Sequence, residues 1–199
     1  MPETRRRADA QRNDRRILEA AARLLAADPQ ATIQAIADEA GVVRLTVYRP
    51  YPNREALRRA IFEAAAAEAH RIVTGTFARD LGVVEALRDL IIEMAAIAQR
   101  YPLLSVGTDL QPLPGAVRRS LSPPMSRAMQ RAVPDLVRRG QKEGSLRADL
   151  PAELLPQAIV GTLRTTIRFA RSLRFDAEHI GEQVADLLLG GFAANTRST

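Results

Sequence analysis

The chain has 199 residues, a net charge of +6, 46% hydrophobic residues and no cysteine. That length can bury one large core or two small ones; the missing thiols exclude disulfides and thiolate metal sites and favour a cytoplasmic protein. No apolar run approaches the roughly 20 residues of a membrane span, and the basic start Met1–Arg7 has no apolar segment behind it, so neither a span nor a secretory signal is expected.

In chain order, helical periodicity recurs and strand signals are almost absent, which predicts an all-α fold of nine or ten helices. Arg5, Arg6, Arg7 and Arg12 precede the first apolar stripe, Ile17, Ala21, Leu24 and Leu25, which breaks at Asp28-Pro29. Those arginines read either as an arm for a minor groove or as a solvated tail, and the tail is favoured. Thr32 is placed to cap a short helix that buries Ile33, Ile36, Ala37 and Ala40. Gly41 supplies a left-handed turn residue, and a helix over about 44–49 follows. Asn53 is placed to cap a long helix from Arg54 to about residue 74, with a connection from Gly75 to Gly82. Further helices are expected over about 83–100, 124–143 (kinked or divided at Pro134), 151–173 and 176–194, with a proline-rich stretch over 102–124 and a loop over 144–150.

Between Thr32 and Tyr51 the spacing of Ala37, Gly41 and Val47 is what two short helices need to cross closely over a turn. This is the pattern of a helix-turn-helix whose second helix enters a major groove. The charge distribution fits it: residues 1–60 carry 12 arginines against 8 acids, whereas 61–199 carry 17 basic and 15 acidic residues. On charge alone, a solvated basic surface explains the surplus equally well. A DNA-binding domain over 1–53, with its motif at 32–51, is therefore expected ahead of a larger helical domain over 54–199, joined by the long helix.

The runs Arg16-Ile-Leu-Glu-Ala-Ala, Thr32-Ile-Gln-Ala-Ile-Ala, Ala40-Gly-Val, Thr46-Val-Tyr-Arg and Tyr51-Pro-Asn-Arg-Glu-Ala-Leu57 resemble the TetR family of bacterial transcriptional regulators over residues 15–62. The resemblance implies a homodimer on double-stranded operator DNA, with the third helix in the major groove. It places Arg44 at base edges, where an arginine can grip guanine. It also gives phosphate contacts to Thr46, Tyr48 and Arg54, a base or phosphate contact to Gln34, and a place in the reading set to Arg49. Packing is the competing role for Tyr48, and plain solvation for Arg44 and Arg54. The chain departs from the family pattern at three positions. Val43 lacks the capping hydroxyl of a serine, Leu45 offers an apolar contact to a thymine methyl, and Pro50 should end the third helix early by disfavouring helical geometry at Arg49.

In the last helix Ile180, Val184, Leu187, Leu188 and Phe192 form a long apolar stripe. The resemblance makes it a dimer interface; an intramolecular core is the alternative. An effector pocket, as in the family, would lie among the middle helices, with Phe77, Met94, Ile97, Tyr101, Met125, Met129, Thr162, Thr166 and Phe169 as lining candidates for a largely apolar small molecule. Such residues at helical spacing are also ordinary core. His70 and His179 stand alone, no glycine-rich phosphate loop is present, and no metal site or catalytic triad can be assembled. The sequence therefore reads as a regulator without cofactor or enzymatic activity, a ligand-released repressor. The alternative is a helical small-molecule binding protein that has lost operator binding.

Overall fold

A computed structural model of the chain describes residues 2–106, 124–173 and 179–192; within these, side chains are described except at 2–8, 105–106, 124–131, 164, 170–173 and 192. Nine helices make up the described residues: α1 Pro2–Ala27, α2 Ile33–Ala40, α3 Arg44–Tyr48, α4 Arg54–Phe77, α5 Val83–Arg100, α6 Leu103–Val106, α7 Pro124–Glu143, α8 Leu154–Leu173 and α9 Ile180–Phe192. The chain forms two compact units, and the division runs through α4 after Ala65. The first unit, the head, holds α1–α3, the first half of α4 and the segment that begins at Arg100. The second, the body, holds Ala66–Gln99 and the helices from α7 onward.

In the head, α1 packs on α2, α2 on α3 and α6 on α1. Its core mixes Ile17, Leu25, Ile36, Val47, Leu57 and Ile61 with buried alanines at 20, 21, 22, 31, 37 and 40. Small side chains at these positions let short helices approach closely. Tyr101 and Leu103 are buried as well, and Arg100 Nε lies 3.7 Å from Glu19 Oε1 of α1.

Several expectations are corrected here. Helix α1 begins at Pro2, so Arg5, Arg6, Arg7 and Arg12 lie within it and do not precede it. Its first half is polar, and apolar periodicity could not reveal it; proline at the first helical position is favourable. Ile33 is only half-buried. Helix α4 runs through Gly75 to Phe77. Its buried positions Leu57, Ile61, Ala65, Ala69 and Val73 recur every four residues, a spacing that drifts by about 40° per step on a 3.6-residue helix. No single face of α4 is therefore apolar along its whole length.

The body is built on Leu87, Leu90, Ile91, Leu136, Val137, Leu155, Ile159, Leu163, Ile167, Ile180 and Val184. Pro134 does not divide α7. An interior proline costs about 3 kcal/mol, but burial of Val133, Leu136 and Val137 around it is worth roughly 1.5–3 kcal/mol per side chain. Two glycines mark close approaches. A Cβ on Gly140 would lie 2.7 Å from Val83 Cγ1 and 2.8 Å from Leu146 Cδ1, and one on Gly181 would lie 3.1 Å from Ile92 Cα. Helix α8 starts at Leu154, three residues after Pro151. The last helix is described from Ile180, and 174–178 and 193–199 lie outside the described residues.

Candidate nucleic-acid interface

The turn that orients α3 is fixed by local hydrogen bonds. The amide of Ala35 donates to Thr32 Oγ1 at 3.1 Å, which caps the start of α2. At its end Gly41 adopts φ 64°, its N–H donates to Asp38 O at 3.0 Å, and the N–H of Val42 donates to Ala37 O at 2.9 Å. That paired arrangement is a Schellman cap, which needs a left-handed residue at the glycine position. The Arg16 guanidinium lies over the turn, with Nη2 2.7 Å from where a Cβ of Gly41 would sit. A cation there suits the carbonyl end of α2.

From Val42 the chain enters α3, whose N-cap Val43 makes no side-chain cap bond. Helix α3 ends at Tyr48, and Arg49 remains helical at φ −60°, ψ −55°, its N–H donating to Leu45 O at 3.1 Å. Pro50 therefore does not push Arg49 out of helical geometry, contrary to expectation. The Tyr51 N–H donates to Val47 O at 3.1 Å and the Tyr51 hydroxyl to Asp14 Oδ1 of α1 at 2.5 Å, so bonds on both sides hold the turn against the pre-proline bias. Burial, and next the bond to Asp14, raise the Tyr51 phenol above the usual tyrosine range. Asn53 Oδ1 accepts from Ala56 N at 2.8 Å and caps α4.

Val47 is wholly buried, and the residues around it turn outward. Arg44 and Arg49 are exposed, Leu45 is 61% and Val43 71% exposed, Tyr48 is 49% exposed, and Thr46 is half-buried. With 100° per residue, Leu45 and Arg49 lie opposite Val47 on the outer face of α3. Gln34 is exposed on α2, where its Nε2 donates to Asp38 Oδ1 at 2.8 Å. Arg54 Nη1 donates to Gln30 Oε1 at 2.6 Å; a guanidinium has five N–H donors, so this bond leaves capacity for a phosphate. The head thus carries an outer surface of Arg44, Leu45, Thr46, Tyr48 and Arg49, with Gln34 and Arg54 on neighbouring elements. Sequence reasoning missed Gln30 and Asp14 as the partners of Arg54 and Tyr51. No local signal could have found contacts across 24 and 37 residues.

The other candidate sets are not assembled as expected. Ile180, Val184 and Leu188 are buried in the body core of the chain itself, and of the described stripe only Leu187 is exposed, at 68%. A stripe repeating every four residues here faces α9's own neighbours. The side chains of Phe192, Met125 and Met129 lie outside the described residues. Among the pocket candidates, Phe77 and Phe169 are exposed, at 42% and 59%, and Tyr101 is buried in the head; Ile97 is buried, Met94 packs against the body core, and Thr162 and Thr166 are half-buried. Exposed large hydrophobic residues also occur at Leu154 and Val160 of α8. No group of three or more histidine or acidic side chains among the described residues could hold a metal ion, and no described helix is long and apolar enough to cross a membrane.

Residues 17–61 match the family model of bacterial regulatory proteins, tetR family. Among solved structures, a TetR transcriptional regulator from Streptomyces coelicolor is 27% identical, with TM-score 0.59 over 92% of this chain and 99% of that one. The transcriptional regulator FadR from Bacillus subtilis, solved in complex with stearoyl-CoA, is 20% identical, with TM-score 0.64 over 88% and 97%. The TetR-like regulator LfrR from Mycobacterium smegmatis, in complex with proflavine, is 22% identical, with TM-score 0.65 over 90% and 96%. No curated protein matches the chain in sequence. The chain thus carries the N-terminal domain of bacterial regulatory proteins of the tetR family and has the all-helical fold of TetR-type transcriptional regulators.

Proposed function

We propose that the protein is a sequence-specific, homodimeric DNA-binding repressor of the cytoplasm, released from its operator by a small molecule. The observation that carries this reading is the outer face of α3, held out by the Gly41 cap and bearing Arg44 and Arg49 in a region that matches the tetR family model. Arg44 reads a base edge, Thr46, Tyr48 and Arg54 hold phosphates, and Gln34 and Arg49 complete the contact set. Two copies of α3 lie about one DNA turn apart, roughly 34–36 Å, on successive major grooves. Exposed Leu154, Phe169 and Leu187 on the last two helices support pairing of two copies through that part of the body. They replace the buried Ile180 and Val184 as its anchors. The effector binds among the middle helices and shifts the population toward a dimer whose reading helices no longer match the groove spacing. Bound stearoyl-CoA and proflavine in two structural neighbours support an effector with large apolar parts.

Selection of bound duplexes from a random pool, followed by salt titration, tests this function. Specific binding should weaken steeply with salt and exceed non-specific binding by on the order of 10³. Flat, sequence-blind binding would instead favour a helical small-molecule binding protein. In the same assay Arg44→Ala should cost about 1–3 kcal/mol and relax preference at one base, while Arg54→Ala should weaken all sequences alike. Identical effects of the two substitutions would contradict these roles.

A further inference from the structure

The most prominent point of the reading face is apolar. Leu45 projects from α3 opposite the buried Val47 and is 61% exposed; Val43, just ahead of the helix, is 71% exposed. Neither side chain is needed to complete the head core, and Val43 contributes no cap bond. Two such side chains gain nothing by facing water. Their surroundings specify what covers them. Residues 40–54 contain three arginines, at 44, 49 and 54, and no acidic residue. Arg44 on α3 and Arg49, the residue that caps its end, are both exposed. A small apolar tip within a cationic, acid-free face complements a polyanion that displays isolated methyl groups. In the major groove that group is the 5-methyl of thymine, the one apolar feature of the base edges. The patch is also far smaller than the roughly 800 Å² per partner of a stable protein interface.

We infer that Leu45, assisted by Val43, is a specificity-determining residue that selects thymine in each half-site through its 5-methyl group. This rests on the proposed operator binding and deepens it. Exclusion of water from the methyl and the leucine together supplies the preference, and no hydrogen bond is involved. A cytosine at the same position lacks the 5-methyl and so loses the apolar contact.

The test separates this inference from the function it rests on. A duplex selected by the full chain from a random pool is resynthesised with each thymine replaced singly by deoxyuridine, which removes the methyl and keeps the base pair. Affinity is measured by fluorescence anisotropy at fixed salt. The native chain should lose about fourfold at one or two thymines per half-site, the value of one buried methyl group. Leu45→Ala should bind the parent duplex more weakly and show no further loss at the deoxyuridine probe. Val43→Ala should reduce the penalty only in part. Should every deoxyuridine duplex bind the native chain as well as the parent, or should the penalty persist in full in both variants, the inference is overturned while specific DNA binding stands. Failure to select any preferred duplex would overturn both.

Discussion

The head and the body of this molecule reach order by different routes. In the head, short helices are pinned at their ends: Thr32 and Gly41 bracket α2, Asn53 starts α4, and buried alanines let the elements close on one another. In the body, long helices are held along their sides by Leu87, Ile91, Leu155, Ile167 and their neighbours, with Gly140 and Gly181 at close crossings. In the head, the Thr32 cap and the Gly41 turn fix the angle of the projecting helix α3. A unit with a deep aliphatic core tolerates an interior proline. The exposed face of α3, which carries the proposed DNA contacts, is therefore positioned by a few replaceable residues.

Substitutions can break this contrast. Leu155→Ala in the fully buried body core should have the largest effect, about 2–5 kcal/mol, read as a fall in the urea midpoint. Tyr51→Phe strands the Asp14 carboxylate in the head and should cost about 1.5–3 kcal/mol. The folded phenol keeps its proton above the pH, roughly 10, at which an unfolded tyrosine loses it. Its contribution is therefore whole below about pH 10 and declines as pH rises further. Urea titrations across alkaline pH should show a steeper loss for the native chain than for Tyr51→Phe; equal slopes would remove Tyr51 from the account.

Gly41→Ala comes next. The left-handed backbone at φ 64° should cost about 1–2 kcal/mol, since the Arg16 guanidinium near the new Cβ is the far end of a flexible side chain and can swing aside. Faster amide exchange in α2 and α3 than in α8 would localise the damage to the head. Thr32→Ala should be smallest, about 1 kcal/mol, with the same localisation. Equal exchange changes in both units would show that the head does not depend on its caps in the way described.

Legibility depended on how far apart in the sequence the partners lie. The Thr32 cap, the Gly41 turn, the Asn53 cap and the missing cap at Val43 could all be read from the sequence, because each is a contact within a few residues. The polar first half of α1 could not, since it has no apolar face to detect. Arg49 stays helical before Pro50 where Tyr51 is held by Val47 O and by Asp14, the latter 37 residues away. The stripe of α9 was visible, but its partner was not. Ile180, Val184 and Leu188 face the chain's own core and leave Leu187 outside.

By itself, the sequence determined the helical class, the cap-turn-cap frame around α3 and the apolar, arginine-flanked character of its outer face. Those properties reside in side chains and backbone dihedrals of neighbouring residues. Tertiary structure alone decided which apolar stripes are core and which remain exposed, where α4 passes from one unit to the other, and that the segment after Arg100 returns to pack on α1. Burial depends on which surface an element meets, and a sequence periodicity specifies a face without naming its partner.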